Sequence, residues 1–189
     1  TFFTNRLEDI EVLQLMTKLA AKDHKPWYYL GNIWYDSKQY SEAMDAWQKT
    51  LQIFEGFATA HRNLGIAWYN KKGDASAAIK SFEKAFSLDT SDARVLFELD
   101  YLYKRINKNP EDRLSLLKRH LDLVNSRDDL FIEFVTLHSL LGRYEEAVAF
   151  LKERNFHPWE GGEGKVSGQY VINHVELAKK ALLNQQHED

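Results

Sequence analysis

The segment WYYLGNIWY at residues 27–35 decides the fold, because HRNLGIAWY at residues 61–69 repeats its pattern about 34 residues later. Both segments place a Leu-Gly pair and a Trp-Tyr pair at the same offsets. A repeat of this length corresponds to one pair of antiparallel helices, which cannot bury its apolar face alone. The repetition therefore predicts an all-α protein in which successive helical hairpins stack on one another.

Each of these segments is followed by a second amphipathic stretch with a small residue near its start, Ala43 or Ala78. We expect Gly31 and Gly65 to let the second helix approach the first at these alanines, while large residues fill the space between hairpins. Those large residues are Trp34, Trp47, Trp68 and Phe82. In the third repeat Asp100 replaces the small residue and Arg113 stands near the expected alanine, so this repeat departs from the pattern.

Helix start and stop signals agree with the repeat. Pro26 suits a first helical turn, Asp74 and Asp92 are suited to N-caps, and Gly142 is suited to a helix end. The second repeat has one extra residue in its turn, near Gly73.

The whole chain, residues 1–189, is predicted to form one helical repeat domain. Its parts are a leading helix at 5–22, repeats at 24–57, 58–92, 93–127 and 128–155, a loop at 156–167, and a C-terminal capping helix at 168–185 with a polar outer face.

The composition and the net charge exclude several classes of site and partner. Aromatic residues make up 13% of the chain, there is no cysteine, and the formal net charge is −3. These values exclude thiolate metal sites and give no reason to expect a nucleic-acid partner. No segment has the run of about 18 apolar residues that a membrane helix needs. We expect no cofactor, no catalytic constellation and a cytoplasmic location, and Thr1 in place of Met suggests a piece of a longer protein.

The Leu-Gly and Trp-Tyr pattern, with its period and its small residues, resembles the tetratricopeptide-repeat family. This resemblance implies a right-handed α-solenoid whose function is to bind other proteins. The segment FHPWEGGEGKV at 156–166, together with YLGN at 29–32, RNLG at 62–65 and RDDL at 127–130, is also similar to one bacterial family. In that family a β-sandwich domain of unknown function, related to carbohydrate-active folds, precedes the repeats, and no catalytic residues are established for the repeat region.

The first helix of each repeat should line a concave groove. We predict that a peptide, a helix or a neighbouring domain binds there, because aromatic rings with polar tips give a large contact area with few rotamers to freeze. The predicted groove residues are Tyr28, Asn32, Tyr35, Arg62, Asn63, Tyr69, Arg94, Phe97 and Tyr101. The alternative is that these rings pack against each other or face another domain of the same chain.

A carboxylate clamp, as found in some tetratricopeptide domains, is disfavoured. Asn32, Asn63 and Arg94 fall on three of its positions, but Tyr28 replaces its first Lys and Glu98 its last Arg. An acid at the last position repels the carboxylate that such a clamp holds.

The loop supplies a second candidate site. His157, Glu160 and Glu163 are potential metal ligands or acid–base groups, and Trp159 is a potential platform for a sugar, so the alternative function is an accessory module at a glycan site. Their spacing matches no established zinc motif, and the competing interpretation is a structural plug at the end of the array.

Two further expectations concern packing. His138 is expected to be a core residue with its hydrogen bonds satisfied. The apolar face of the leading helix is expected to be uncovered, which makes self-association possible.

Overall fold

The computed structural model of the chain describes residues 8–156 and 163–185. Over these residues the chain forms helices and no β-strand, which confirms the all-α fold class. The α-helices are α1 (Glu8–Leu19), α2 (Lys25–Asp36), α3 (Tyr40–Ile53), α4 (Ala58–Ala67), α5 (Ala75–Leu88), α6 (Ala93–Arg105), α7 (Pro110–Lys118), α8 (Leu121–Ser126), α9 (Asp128–Leu140), α10 (Tyr144–Glu153) and α11 (Glu163–Gln185). A π-helical turn, Trp68–Lys72, extends α4.

The chain divides into two compact units. Unit 1 ends at Leu102 and unit 2 begins at Tyr103. The division falls within the third repeat, the one that lacks the small residues of the pattern. Asp100 and Arg113, which stand at those positions, are both buried.

Unit 1 is a series of antiparallel hairpins in which α1 packs on α2, α2 on α3, α3 on α4, and α4 on α5. Its core lies between successive hairpins, where Trp47 of α3 packs with Leu64 and Ala67 of α4. A second cluster joins Leu13 of α1 to Leu30 of α2. Each hairpin therefore buries its apolar face on its neighbours, as a repeat array requires.

The predicted caps are present. Asp74 accepts a hydrogen bond from the backbone N–H of Ala77 at 2.9 Å, which satisfies a free donor in the first turn of α5. Asp92 does the same for Val95 at 3.1 Å. Gly142 ends α9 with a φ of +73°, a conformation that glycine adopts without strain.

The extra residue of the second repeat is absorbed by the π-helical turn rather than by a longer loop. The backbone N–H of Asp74 donates to the carbonyl oxygen of Trp68 at 3.0 Å, and Gly73 between them has a φ of +67°. The Lys71 ammonium, inside this turn, lies 4.2 Å from the ring centre of Tyr40. The turn is thus fixed to the preceding hairpin by a cation–π contact.

Unit 2 packs α7 and α8 on α9, and α9 and α10 on α11. The second helix of the third repeat is broken: α7 ends at Lys118, and α8 resumes at Leu121 after a tight turn in which His120 N–H donates to the Leu117 carbonyl. The buried guanidinium of Arg113 lies 3.3 Å from Glu133 on α9. A charge pair therefore replaces the close alanine packing that the sequence pattern provides elsewhere.

The last helix differs from the expectation in two ways. It begins at Glu163 rather than near residue 168, although Gly164 and Gly168 lower the helix propensity of this stretch. Its outer face is only partly polar, because Val171 and Leu182 are about 60% exposed. In the described part of the chain, no helix has the length and apolar character needed to span a bilayer.

Candidate functional site

The nine residues predicted from the sequence line two neighbouring cavities of unit 1, each of about 310 Å³. Side chains of α2, α3 and α4 line the first cavity, and side chains of α4, the π-helical turn, α5 and α6 line the second. Ile66 of α4 lines both. We call this surface the paired cavities. Among their lining residues are Tyr28, Asn32, Tyr35 and Asn63 in the first, and Arg62, Tyr69, Arg94, Phe97 and Tyr101 in the second.

An amide network lies in the first cavity. The indole N–H of Trp47 donates to Oδ1 of Asn32 at 3.1 Å, and Nδ2 of Asn63 donates to the same oxygen at 3.2 Å. An indole N–H can only donate, so it fixes which end of the Asn32 amide faces Trp47, and hence which end of Asn63 faces Asn32. Within the described residues, Nδ2 of Asn32 and Oδ1 of Asn63 then make no hydrogen bond. The amide pair therefore leaves the Asn32 amide nitrogen as a donor group and the Asn63 amide oxygen as an acceptor.

The second cavity contains a cluster of three charges. The Arg62 guanidinium donates to both carboxylate oxygens of Glu98, one of them at 2.7 Å. Nε of Arg94 lies 3.4 Å from the same carboxylate, and the Arg94 side chain is 66% exposed. Two cations and one anion leave the cluster with one net positive charge. The two arginines therefore neutralise Glu98, and its carboxylate does not make this cavity negative.

The aromatic side chains of the two cavities differ in their ring contacts and in their exposure. Tyr28 packs edge-on against Phe57 with ring centres 4.8 Å apart, and Tyr35 lies 5.1 Å from Tyr40. Tyr101 of α6 is 45% exposed. The rings of the first cavity are held by other rings, in line with the alternative interpretation, while the second cavity has an exposed ring as well.

The sequence did not predict that Trp47 and Phe82 line the two cavities. Both were expected between hairpins, yet they also line the first and second cavities respectively. The signal that identifies them is the glycine that each one faces. A Cβ atom on Gly65 would lie 2.7 Å from the ring of Phe82, so the ring occupies the space that a side chain would need.

The candidate loop site is largely outside the described residues. His157, Trp159 and Glu160 fall between the two described ranges, and α11 begins at Glu163. Among the side chains that the structure describes, no three His, Asp or Glu come together as a possible metal site.

Comparison with protein families identifies the repeats. Residues 24–57 match one model of the tetratricopeptide repeat, and residues 68–92 match a second. Both matches lie in unit 1. The first includes the Leu-Gly and Trp-Tyr pairs of the first repeat, and the second begins at the Trp-Tyr pair of the second repeat. The chain therefore carries tetratricopeptide repeats.

Solved structures show the same fold. YrrB, described as a TPR protein with an unusual peptide-binding site, is 18% identical with a TM-score of 0.68, over 91% of this chain and 85% of its own. MamA is 18% identical with a TM-score of 0.61, over 76% of this chain and 77% of its own. A MamA fragment from Desulfovibrio magneticus RS-1 is 16% identical with a TM-score of 0.60, over 77% and 81% respectively. At these identities the similarity shows the fold alone.

Proposed function

We propose that the paired cavities of unit 1 are two parts of one concave groove, which binds an extended segment of a partner protein. The observation that carries this proposal is the amide pair of Asn32 and Asn63, in which Nδ2 of Asn32 and Oδ1 of Asn63 have no hydrogen-bond partner among the described residues. An extended polypeptide presents an N–H and a C=O at each residue, which is the complement of such a pair. Trp47 holds the pair in place before a ligand arrives, so little side-chain freedom is lost on binding.

The second cavity supports the same proposal and adds a preference. The net positive charge around Arg94 and the exposed ring of Tyr101 favour an acidic or aromatic side chain on the bound segment. YrrB, with a similar fold, is a peptide-binding protein by its description. The ligand is expected to contribute its backbone to the first cavity and one or two side chains to the second.

Affinity capture from a lysate followed by mass spectrometry tests this function. The native chain is compared with a groove variant that combines Tyr28→Ala, Asn63→Ala and Arg94→Ala. A control variant removes the same residue types elsewhere, with Tyr170→Ala, Asn184→Ala and Arg119→Ala, all at exposed positions outside the paired cavities. Circular dichroism first establishes that all three proteins are folded.

A protein captured by the native chain and the control, but not by the groove variant, supports the proposal and identifies the partner. Capture of the chain itself in that pattern means that the groove binds a second copy. Equal capture by all three proteins means that the groove residues are not the recognition surface.

A second candidate function, self-association through α1, has its own observation. Leu15 and Leu19 of this helix are 54% and 78% exposed, and Val12 beside them is 58% exposed. An exposed apolar stripe of this kind is typical of a surface that another helix covers. Light scattering across protein concentration tests it: a mass that rises with concentration and falls in a Leu19→Glu variant supports self-association, and a constant monomer mass removes it.

A further inference from the structure

Unit 2 contains a cavity of about 700 Å³ that the proposed function does not use. Side chains of α7, α8, α9 and α10 line it, together with Arg154 and Asn155 after α10. His138 of α9 lines it and is completely buried. The sequence predicts a satisfied core histidine at this position. The burial is confirmed, but the hydrogen bonding is not, because Nε2 of His138 has no partner among the described residues.

The hydrogen-bond state of His138 follows from its neighbours. Nδ1 lies 2.8 Å from the carbonyl oxygen of Phe134, which can only accept, so Nδ1 carries the hydrogen. Burial lowers the pKa of His138, and the neutral ring therefore has a free lone pair on Nε2. The nearest charged oxygen, Oε2 of Glu146, is 3.7 Å away and is also an acceptor. Two acceptors side by side call for a donor between them.

Aromatic rings form part of the cavity lining. The rings of Phe134 and Phe150 lie 4.4 Å and 5.1 Å from the His138 ring, centre to centre. At the other end of the cavity the Arg154 guanidinium lies 4.5 Å from the ring centre of Phe131. One ring of the lining thus already stacks a guanidinium, in a contact whose electrostatic basis is the negative face of the ring.

Charges around the cavity leave an acid unmatched. Arg154 is neutralised by Asp128, to which it donates at 2.8 Å. Arg143, which also faces His138, is paired with Glu111. The remaining groups are the acids Glu146 and Glu153 of α10 and the single base Lys118 at the end of α7. With Arg154 paired to Asp128, negative charges therefore outnumber positive charges by one among the other lining residues that the structure describes.

We propose that this cavity binds an arginine side chain of a partner polypeptide, with the guanidinium donating to Nε2 of His138 and to the Glu146 carboxylate above the Phe134 and Phe150 rings. The planar fork of a guanidinium presents N–H groups from more than one nitrogen, which suits two separate acceptors, and its face stacks on aromatic rings. The Glu146 side chain is 55% exposed, so it can rotate to admit the donor to the buried nitrogen. This site is separate from the groove of unit 1 and does not depend on it.

The test uses the intact chain and three small probes. Nα-acetyl-arginine amide, its uncharged isostere Nα-acetyl-citrulline amide, and Nα-acetyl-lysine amide are titrated while the ring-nitrogen signals of His138 are followed by NMR. We expect a saturable shift of the Nε2 signal with the arginine probe, and a response at least about fivefold weaker with the other two, because both the charge and the fork are required. Equal responses to arginine and lysine, or to arginine and citrulline, overturn the proposal, as does the absence of a shift.

Variants separate a specific site from general attraction. Glu146→Gln is expected to lower the affinity for the arginine probe about fivefold, because an ion pair with a half-exposed carboxylate contributes only modestly. Its matched control, Glu145→Gln, removes the adjacent acid, which pairs with Lys180 and does not line the cavity, and should leave affinity unchanged. Lys118→Ala should strengthen binding, since it removes the one unmatched base. Equal loss in Glu146→Gln and Glu145→Gln contradicts the proposal.

Discussion

Gly31 of α2 faces the indole ring of Trp47 on α3 so closely that a Cβ atom at position 31 would lie 2.4 Å from two ring atoms. The ring that fills this space also donates its N–H to Asn32, the next residue along α2. The glycine therefore serves both the packing of the hairpin and the position of the amide pair. Gly65 and Phe82 repeat the packing part of this relationship in the next hairpin.

We expect Gly31→Ala to destabilise the protein by about 2 kcal/mol. The better helix propensity of alanine contributes about 1 kcal/mol, but overpacking against a rigid indole costs about 3 kcal/mol. Urea denaturation measures the change. Gly168→Ala in α11 is the matched control: it is also helical but has no atom within 4 Å of the added Cβ, and it should be neutral or stabilising. Similar effects at both positions contradict this packing account.

The charge cluster in the second cavity predicts a salt-dependent preference. Arg94→Gln removes the exposed cation that gives the cluster its net positive charge. Affinity for an acidic peptide should fall a few-fold at low ionic strength, and the difference from the native chain should shrink at high salt because exposed charges are screened. Fluorescence anisotropy at two salt concentrations measures both. A salt-independent loss points to a packing role of Arg94 instead.

Stability should fall as the pH decreases from 7.5 to 5, and His138 should cause part of the fall. Burial, with Lys118 and Arg143 nearby, lowers the pKa of His138 against the opposing effects of Glu146 and the Phe134 carbonyl. In the unfolded chain the ring takes up a proton near pH 6.5, whereas the folded protein resists it. The neutral form therefore stabilises the fold above about pH 6.5, and that stability is lost as the pH falls further.

Urea denaturation of the native chain and of a His138→Gln variant isolates this contribution. Burial also lowers the pKa of His61, which is present in both proteins, so its effect cancels in the comparison. The variant should lose less stability than the native chain over the same pH range. Parallel pH profiles for the two proteins show that His138 does not titrate on unfolding.

Much of the fold can be predicted from the sequence because each hairpin depends on local signals. The Leu-Gly and Trp-Tyr pairs recur at a fixed period, Asp74 stands at the N-cap of α5, and the extra residue near Gly73 marks an irregular turn. The nine residues that line the paired cavities follow from the same periodicity, since positions on one face of the first helices line the same cavities.

What the sequence did not predict depends on contacts between distant residues. The glycine pattern indicates close packing but not that the neighbour of Gly31 is Trp47 rather than Ala43. The break between α7 and α8 follows no Gly or Pro, so no local signal marks it. Nε2 of His138 lacks a donor because α10 places another acceptor, Glu146, beside it. Hydrophobic periodicity identifies only that position 138 is buried.

The most direct test of the central claim is the affinity of one peptide, selected by display against the native chain, for two single variants. Asn63→Ala removes the acceptor in the first cavity, and Asn184→Ala removes an amide at an exposed site of α11. We predict that Asn63→Ala weakens binding about fivefold, the effect of one lost hydrogen bond, while Asn184→Ala leaves it unchanged. Equal affinity of the two variants for the peptide contradicts the claim that the groove recognises the peptide through its amide pair.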